Sequence, residues 1–308
     1  MRLLALPVLV VAVASSASAN VLWRGDYETG DLSQWAGVEG LTSRLTIVQS
    51  PVRQGKYALR TELHQGDYAN SGTRNEVENS SAQYNEVEGN DKWYAWSTMF
   101  ASGFPAPNTW QVFTQWHHSG LNGSPPLEFD VLGETIQLAH NGGTILWRTP
   151  LVRGVWHDFV VHVFWSSTNG YVDLYYDGTK VLDHQATPTL NPGQYNYLKQ
   201  GLYRDASIAD VGVVYHDGMV MGTTLADVAP SLATPPPAPV PDAGTPDLPA
   251  PDGGTNVPVT PAPDAGVPVK ASSVYMLPGG CSHISPGSLA VLGLVAGALL
   301  VMRRRRRD

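Results

Sequence analysis

Three short segments carry chemically capable side chains on one face of what reads as an extended strand. In Thr73-Arg74-Asn75-Glu76-Val77-Glu78, alternation puts Arg74, Glu76 and Glu78 together, so Glu76 can hold the Arg74 guanidinium in a fixed orientation. In the run from Trp110 to His118, Gln115 and His117 share a face, while Val112, Thr114 and Trp116 take the other. An amide beside an imidazole suits holding a carboxylate while removing a nearby proton. In the run from Tyr197 to Arg204, Tyr197, Lys199 and Tyr203 share a face and Gly201 leaves a gap between them. A tyrosine hydroxyl can donate a proton to a leaving oxygen. Taken singly, each segment reads equally well as a solvated or amphipathic strand.

Together they supply what β-elimination from a uronic acid polymer requires. The C5 proton of a uronate is barely acidic while the neighbouring carboxylate is charged, so cationic and amide groups must first neutralise it and then stabilise the enediolate. Arg74 and Gln115 suit that task, His117 suits the base and Tyr203 the acid, with Glu76, Tyr197, Lys199 and Arg204 binding the sugar around them. The adjacent pair His117 and His118 also suggests zinc, but alternation points the two rings apart, and the only cysteine, Cys281, lies far down the chain. Nothing in these motifs asks for an organic cofactor.

The elements that must position these groups are strands. Apolar and polar residues alternate in runs broken by Gly, Asn, Pro and Asp, from Tyr57 to His64, Lys92 to Phe100, Trp110 to His117, Val155 to Trp165, Tyr171 to Tyr176 and Tyr195 to Tyr203. No stretch shows a convincing helical period. About a dozen such strands, with turn signals such as Asp177-Gly178 between them, predict an all-β fold: an antiparallel sandwich of jelly-roll, concanavalin A-like type. The nine Trp and thirteen Tyr suit a β core or a sugar-stacking cleft.

Residues 20–228 hold the whole of this pattern, enough for one domain with a full core. They carry 12 Lys and Arg against 22 Asp and Glu, a balance that repels nucleic acid and leaves room for an anionic substrate only if the cations gather in one cleft. The first 19 residues read as a secretory signal, with an apolar run from Leu3 to Ala14 and Ala17-Ser18-Ala19 as the cleavage site. Residues 229–278 turn to Pro, Ala, Gly, Asp and Val with a loose repeat, as in Pro241-Asp242-Ala243-Gly244 and Pro263-Asp264-Ala265-Gly266, which predicts an extended spacer. Residues 279–308 close the chain with an uncharged stretch from Ser285 to Met302 and the arginines 303–307, the pattern of a membrane span with its basic end in the cytoplasm. The domain is thus expected outside the cytoplasm, tethered to the envelope and acting as a monomer.

The order Arg-x-Glu, Gln-x-His, Tyr-x-Lys-x-Gly-x-Tyr resembles the three-motif signature of jelly-roll polysaccharide lyases that cleave alginate. The flanking residues, including the run from Gly25 to Trp35, Gln115-Trp116-His117 and Tyr215-His216-Asp217-Gly218, are closer to the related heparin lyase I and glucuronan lyase group. The resemblance spans Trp23 to about Gly222. Glu78 stands where alginate lyases continue to a second Arg, and Arg204 where they carry Asn, which ranks glucuronan above alginate. The resemblance implies the roles given above and leaves open whether His117 or Tyr203 is the base. It also implies a structural calcium ion near the first strand, with Asp26, Glu28 and Asp217 as oxygen donors; the same three residues also suit turn-capping. The tail resembles the MYXO-CTERM sorting segment of myxobacteria, which makes Cys281, in Gly280-Cys281-Ser282, a processing and lipidation point for display on the outer surface.

Two other readings share the fold. Glu128-Phe129-Asp130-Val131-Leu132-Gly133-Glu134 is one residue too long for the Glu-x-Asp-x-x-Glu strand of laminarinase-like hydrolases. At about 3.3 Å per residue its outer carboxylates stand roughly 20 Å apart, where retaining catalysis needs about 5 to 5.5 Å. A non-catalytic carbohydrate binder needs aromatic platforms but has no use for an imidazole facing a phenol.

Overall fold

The alternating runs pair into strands whose ends fall within a residue of those expected. A computed structural model describes residues 20–70, 72–120 and 123–233; the secretory signal with Ala19, the spacer from residue 234 onward and the anchor with Cys281 lie outside the described residues. In chain order the strands are β1 (Val21–Gly25), β2 (Gly37–Glu39), β3 (Leu45–Val48), β4 (Ala58–Leu63), β5 (Tyr68–Ala69), β6 (Gly72–Asn79), β7 (Asp91–Phe100) and β8 (Trp110–His118). They continue as β9 (Leu127–Leu132), β10 (Thr135–His140), β11 (Thr144–Pro150), β12 (Trp156–Phe164), β13 (Tyr171–Tyr176), β14 (Thr179–Ala186), β15 (Asn196–Arg204) and β16 (Gly212–Gly222).

These strands make two antiparallel sheets. One runs β14-β13-β12-β7-β16-β4-β3 with β1 also on β16, and the other runs β11-β10-β9-β8-β15-β6-β2 with β5 also on β6. The inward sides meet in one core, where Trp96 stacks on Phe159 at 5.1 Å and meets Phe129 edge-on at 5.2 Å, and Trp116, Val131, Ile136 and Leu202 are fully buried. Most of the tryptophan therefore builds the core: Trp23, Trp35, Trp96, Trp116 and Trp165 are all buried. The Asp177-Gly178 turn joins β13 to β14 with both residues at positive φ, 46° and 79°, the mirror-image turn that suits the twist of paired strands.

Ordered chain extends past Val228, where the domain was expected to end. Two short helices, α1 (Leu225–Val228) and α2 (Pro230–Ala233), follow β16, and Asp227 closes a capping box on Thr224. A capping carboxylate next to a Pro at a helix start is a local stop to the strand pattern that does not require a long apolar face.

Candidate active site

The three motif strands lie side by side. β15 is the middle one, with β6 on one edge and β8 on the other. Opposite residues of antiparallel strands share a face, and the register sets Tyr203 between Arg74 and Val112, Lys199 between Glu78 and Gln115, and Tyr197 beside His117. Chain segments more than a hundred residues apart thus converge on the outer face of one sheet. They line a cleft of about 550 Å³ together with Glu39, Trp110, Glu128, Asp130 and Gln137.

Two β-bulges shape that face. Phe113 is an extra residue of β8 against β9 and sits opposite the irregularity at Gly201–Leu202 of β15. It sends Phe113 into the core, and with the parity shifted by one, Trp110 and Val112 join His117 in the cleft, while Gln115 lies fully buried beneath it. Val112 was expected on the opposite face from strict alternation; the bulge is the reason it is not. Trp110 in turn meets the Tyr203 ring edge-on at 4.8 Å.

Gly201 performs a second task. Gln115 Nε2 donates to Glu76 Oε1 at 2.6 Å, although β15 lies between their strands. Such a bond spans two strand spacings, about 10 Å between backbones, across the stretch of β15 where Gly201 is the residue opposite Glu76. A Cβ there would lie 2.3 Å from the Asn75 carbonyl oxygen, and φ is +148°. We expect Gly201→Ala to cost roughly 3 kcal/mol through strain and overpacking, read as a lower urea midpoint; an unchanged midpoint would show that the strand can give way. On the inner side the Gly201 carbonyl accepts from His216 Nε2 at 3.0 Å, tying β15 to the opposite sheet.

The cations are held by carboxylates. Glu39 Oε2 accepts from Arg74 Nη1 at 2.9 Å and from Lys199 Nζ at 2.7 Å, and Glu76 Oε2 lies 3.3 Å from Arg74 Nη1. Burial opposes the charge on Lys199, but Glu76 and Glu39 outweigh it and raise its pKa, so it stays an ammonium. Burial pushes the Glu76 carboxyl up in spite of Lys199 and Arg74. The Arg74 guanidinium lies 3.7 Å above the centre of the Tyr203 ring, a cation–π contact that holds the two side chains together. Arg74 Nε and Gln115 Oε1 are buried without a hydrogen-bond partner among the described residues, polar capacity the resting site leaves unspent.

His117 is set up as a neutral imidazole. Its Nδ1 lies 2.7 Å from the His118 carbonyl oxygen. An oxygen of that kind only accepts, so Nδ1 carries the proton and Nε2 keeps its lone pair. Burial, then the charge of Lys199, lowers the pKa to about 4. His118 does not point away as strict alternation predicts: at the strand end its ring lies 4.8 Å from that of His117, at 21°. Its Nδ1 is occupied by the Gly120 amide, and among the described residues no three His, Cys, Asp or Glu side chains group as metal ligands.

One expected binder lies elsewhere. Arg204, adjacent to Tyr203, takes the other face of β15 and is 1 % exposed between the sheets, where Nη2 donates to the Leu63 carbonyl at 3.1 Å and burial lowers its pKa. The parity of the strand makes it a core residue. Conversely, Glu39 and Trp110 were not anticipated. Glu39 sits in a three-residue strand with no pattern of its own, and Trp110 is hidden by the bulge.

Of the other carboxylates, Glu134 pairs with Arg153 at 2.8 and 3.0 Å and is solvent-exposed, outside the cleft that Glu128 and Asp130 line. The hydrolase pattern thus loses its third member. Glu28 accepts from the Lys56 and Tyr57 amides, Asp26 from the Gln34 amide at 2.7 Å, and Asp217 Oδ2 from the amides of Arg53 and Gln54, which are loop-capping roles. Asp217 Oδ1 is buried without a hydrogen-bond partner among the described residues, and burial, opposed by those amides but aided by the charges of Glu28 and Asp26, raises its pKa to about 6.

Two antiparallel sheets with an imidazole, a phenol and paired cations in one outer cleft define a jelly roll of the kind found among polysaccharide-cleaving enzymes. The fold is similar to that of an endo-β-1,4-glucuronan lyase from the fungus Trichoderma reesei, at 19% identity and a TM-score of 0.56 over 68% of this chain and 98% of that one. It is similar also to the catalytic domain of a glycoside hydrolase family 131 protein from Coprinopsis cinerea, at 18% identity and a TM-score of 0.52 over 68% and 99%. No curated protein matches the chain by sequence. The polysaccharide lyase family model matches residues 27–220, and the chain belongs to that family: it is a polysaccharide lyase.

Proposed function

We propose that the enzyme cleaves a uronic-acid-containing polysaccharide by β-elimination, with glucuronan the first candidate and alginate or a heparin-like chain the second. The observation that carries this reading is His117, a neutral imidazole with its tautomer set by His118, in one cleft with Tyr203, Arg74 and Lys199. His117 Nε2 takes the C5 proton. The electron pair passes through an enediolate, whose charge Arg74 and Lys199 balance, into a C4–C5 double bond as the C4–O bond breaks. The Tyr203 hydroxyl gives its proton to the departing oxygen and is reprotonated by solvent, to which the imidazolium returns its own proton. Glu76 and Glu39 act as positioning residues, holding Arg74, Gln115 and Lys199.

Incubating the purified domain with glucuronan, alginate, heparin and pectate tests the reading. The expected product is an unsaturated uronide with its ultraviolet absorbance, strongest from glucuronan; absorbance from none of the four removes the elimination. Release of reducing ends without absorbance would instead indicate a hydrolase.

Calcium beside Asp217 is supported by the unpartnered Oδ1 and by the charges of Asp26 and Glu28 nearby, not by a converged ligand set. A chelator is expected to lower the Tm by several degrees and to leave activity at permissive temperature nearly intact; an unchanged Tm removes the ion. We further infer export, tethering through the C-terminal segment with Cys281 as its processing point, and action as a monomer at the cell surface, where polymers too large to import are met.

A further inference from the structure

The cleft is divided by charge. Arg74 and Lys199 stand on β6 and β15, to one side of His117. On the other side, β9 presents Glu128 and Asp130, two residues apart and therefore on one face. Glu128 is registered opposite Gln115 and Asp130 opposite Val112. Both carboxyl groups line the cleft, both are buried, and the elimination uses neither. Asp130 Oδ1 accepts from the Gln137 amide at 2.9 Å, and among the described residues no cation pairs with either group.

We propose that Glu128 and Asp130 form a second uronate subsite, in which carboxylic acid hydroxyls rather than cations donate hydrogen bonds to the carboxylate of the sugar next to the one that reacts. The inference rests on the elimination reading above, whose reacting groups are spread over β6, β15 and β8. A polymer that meets all three strands runs across them, and β9 is the next strand it reaches, about 10 Å from β15. A buried carboxyl group without a cation keeps its proton. In that state it is a donor, and an O–H···O⁻ bond to a carboxylate is short and strong. Lys or Arg in the same place would bind a uronate too, but would not release it on a modest rise in pH.

The surroundings agree. Burial, then the charges of Asp130 and Glu76, raises Glu128 to about 8. Burial, opposed by the Gln137 hydrogen bond, raises Asp130 to about 7. The groups facing the pair are Gln115 and His117 from β8, Gln137 from β10, Glu76 from β6 and the Ser124 segment, with Arg74, Lys199 and Glu39 across the cleft. His117 is already neutral above about pH 4, so it does not change charge in the range that matters. The donors are present below about pH 7 and turn into repelling carboxylates above about 8.

The test compares wild type with Glu128→Gln/Asp130→Asn on glucuronan from pH 6 to 9, since amides donate at every pH. Wild-type KM is expected to rise by about tenfold or more across this range, the scale of a like-charge contact, with kcat changing little. The double variant is expected to hold KM within about twofold. The same rise in the variant, or a flat wild-type profile, overturns the subsite. The Tm provides a second readout. The folded wild type holds protons that its unfolded chain gives up above about pH 4, so its Tm should fall relative to the variant as pH rises from 6 to 9; parallel Tm curves count against the proposal. Should the double variant not fold, Asp130→Asn alone keeps the Gln137 contact and is expected to remove part of the KM rise; an unaltered rise overturns the proposal in the same way. Product formation with a pH-independent KM removes this subsite alone, whereas no unsaturated product from any uronate polymer removes the elimination reading and the subsite with it.

Discussion

Tyr203→Phe lowers kcat by about 10²- to 10⁴-fold, the range for loss of a positioned proton donor, while KM and Tm stay close to wild type. The physical reason lies in which atoms the substitution removes. The ring carries the packing: it meets Trp110 at 4.8 Å and lies under the Arg74 guanidinium at 3.7 Å, and phenylalanine keeps both contacts. Only the hydroxyl is lost, and it makes no hydrogen bond among the described residues. Steady-state kinetics with thermal melting reads both halves of the expectation. A variant that retains near wild-type kcat shows that the leaving oxygen draws its proton from elsewhere.

The second large effect is His117→Ala, with kcat again lower by about 10²- to 10⁴-fold if the imidazole is the base. Wild-type activity should then lose its acid limb near pH 4, not near 6.5. The sign follows from the cause. Burial and the Lys199 charge disfavour the imidazolium, so the base-competent neutral form persists down to about 4 and is lost only as pH falls through that value. The two variants together also decide between the mechanisms left open by the motifs. A large loss in Tyr203→Phe with a small one in His117→Ala assigns both proton transfers to the tyrosine. The depressed pKa has a cost in acid. The unfolded chain takes up a proton near 6.5 that folded His117 refuses until about 4, and His216, lowered to about 3 by burial against the Gly201 hydrogen bond, adds to the effect. The contribution of these two histidines to stability should therefore decline as pH falls from about 6.5 toward 3, against the opposite trend that the raised Glu128, Asp130 and Asp217 carboxyls give above about pH 4.

These expectations rest on a site whose charge differs from what an acidic domain binding a polyanion would lead one to expect. Arg74 and Lys199 share a single bridging carboxylate, Glu39, so the cleft is no pool of free positive charge. Glu128 and Asp130 stand in it as well. Burial without a cation pushes both carboxyls up, Glu128 to about 8 and Asp130 to about 7, which lessens their repulsion of a uronate below neutral pH.

Sequence alone determined the all-β class, the ends of the six strands with clear alternation and the faces of the polar residues in the three motifs, though not those of Val112 and His118. A strand repeats every two residues, so Arg74 with Glu76, Gln115 with His117, and Tyr197 with Lys199 and Tyr203 are assigned to faces by local geometry that needs no knowledge of neighbours. The same rule, applied strictly, puts Arg204 in the core rather than against the sugar as was expected of it, because it follows Tyr203 directly. Which strands stand next to one another is a different matter, decided by backbone pairing between segments far apart in the chain. That pairing brought Glu39 onto Arg74 and Lys199, set β9 with its two carboxyls beside β8, and let Glu76 reach Gln115 over Gly201. It also inserted Phe113 as a bulge, which turned Trp110 and Val112 toward the cleft. A bulge is a mismatch between two paired strands, a property of the pair that neither sequence expresses by itself.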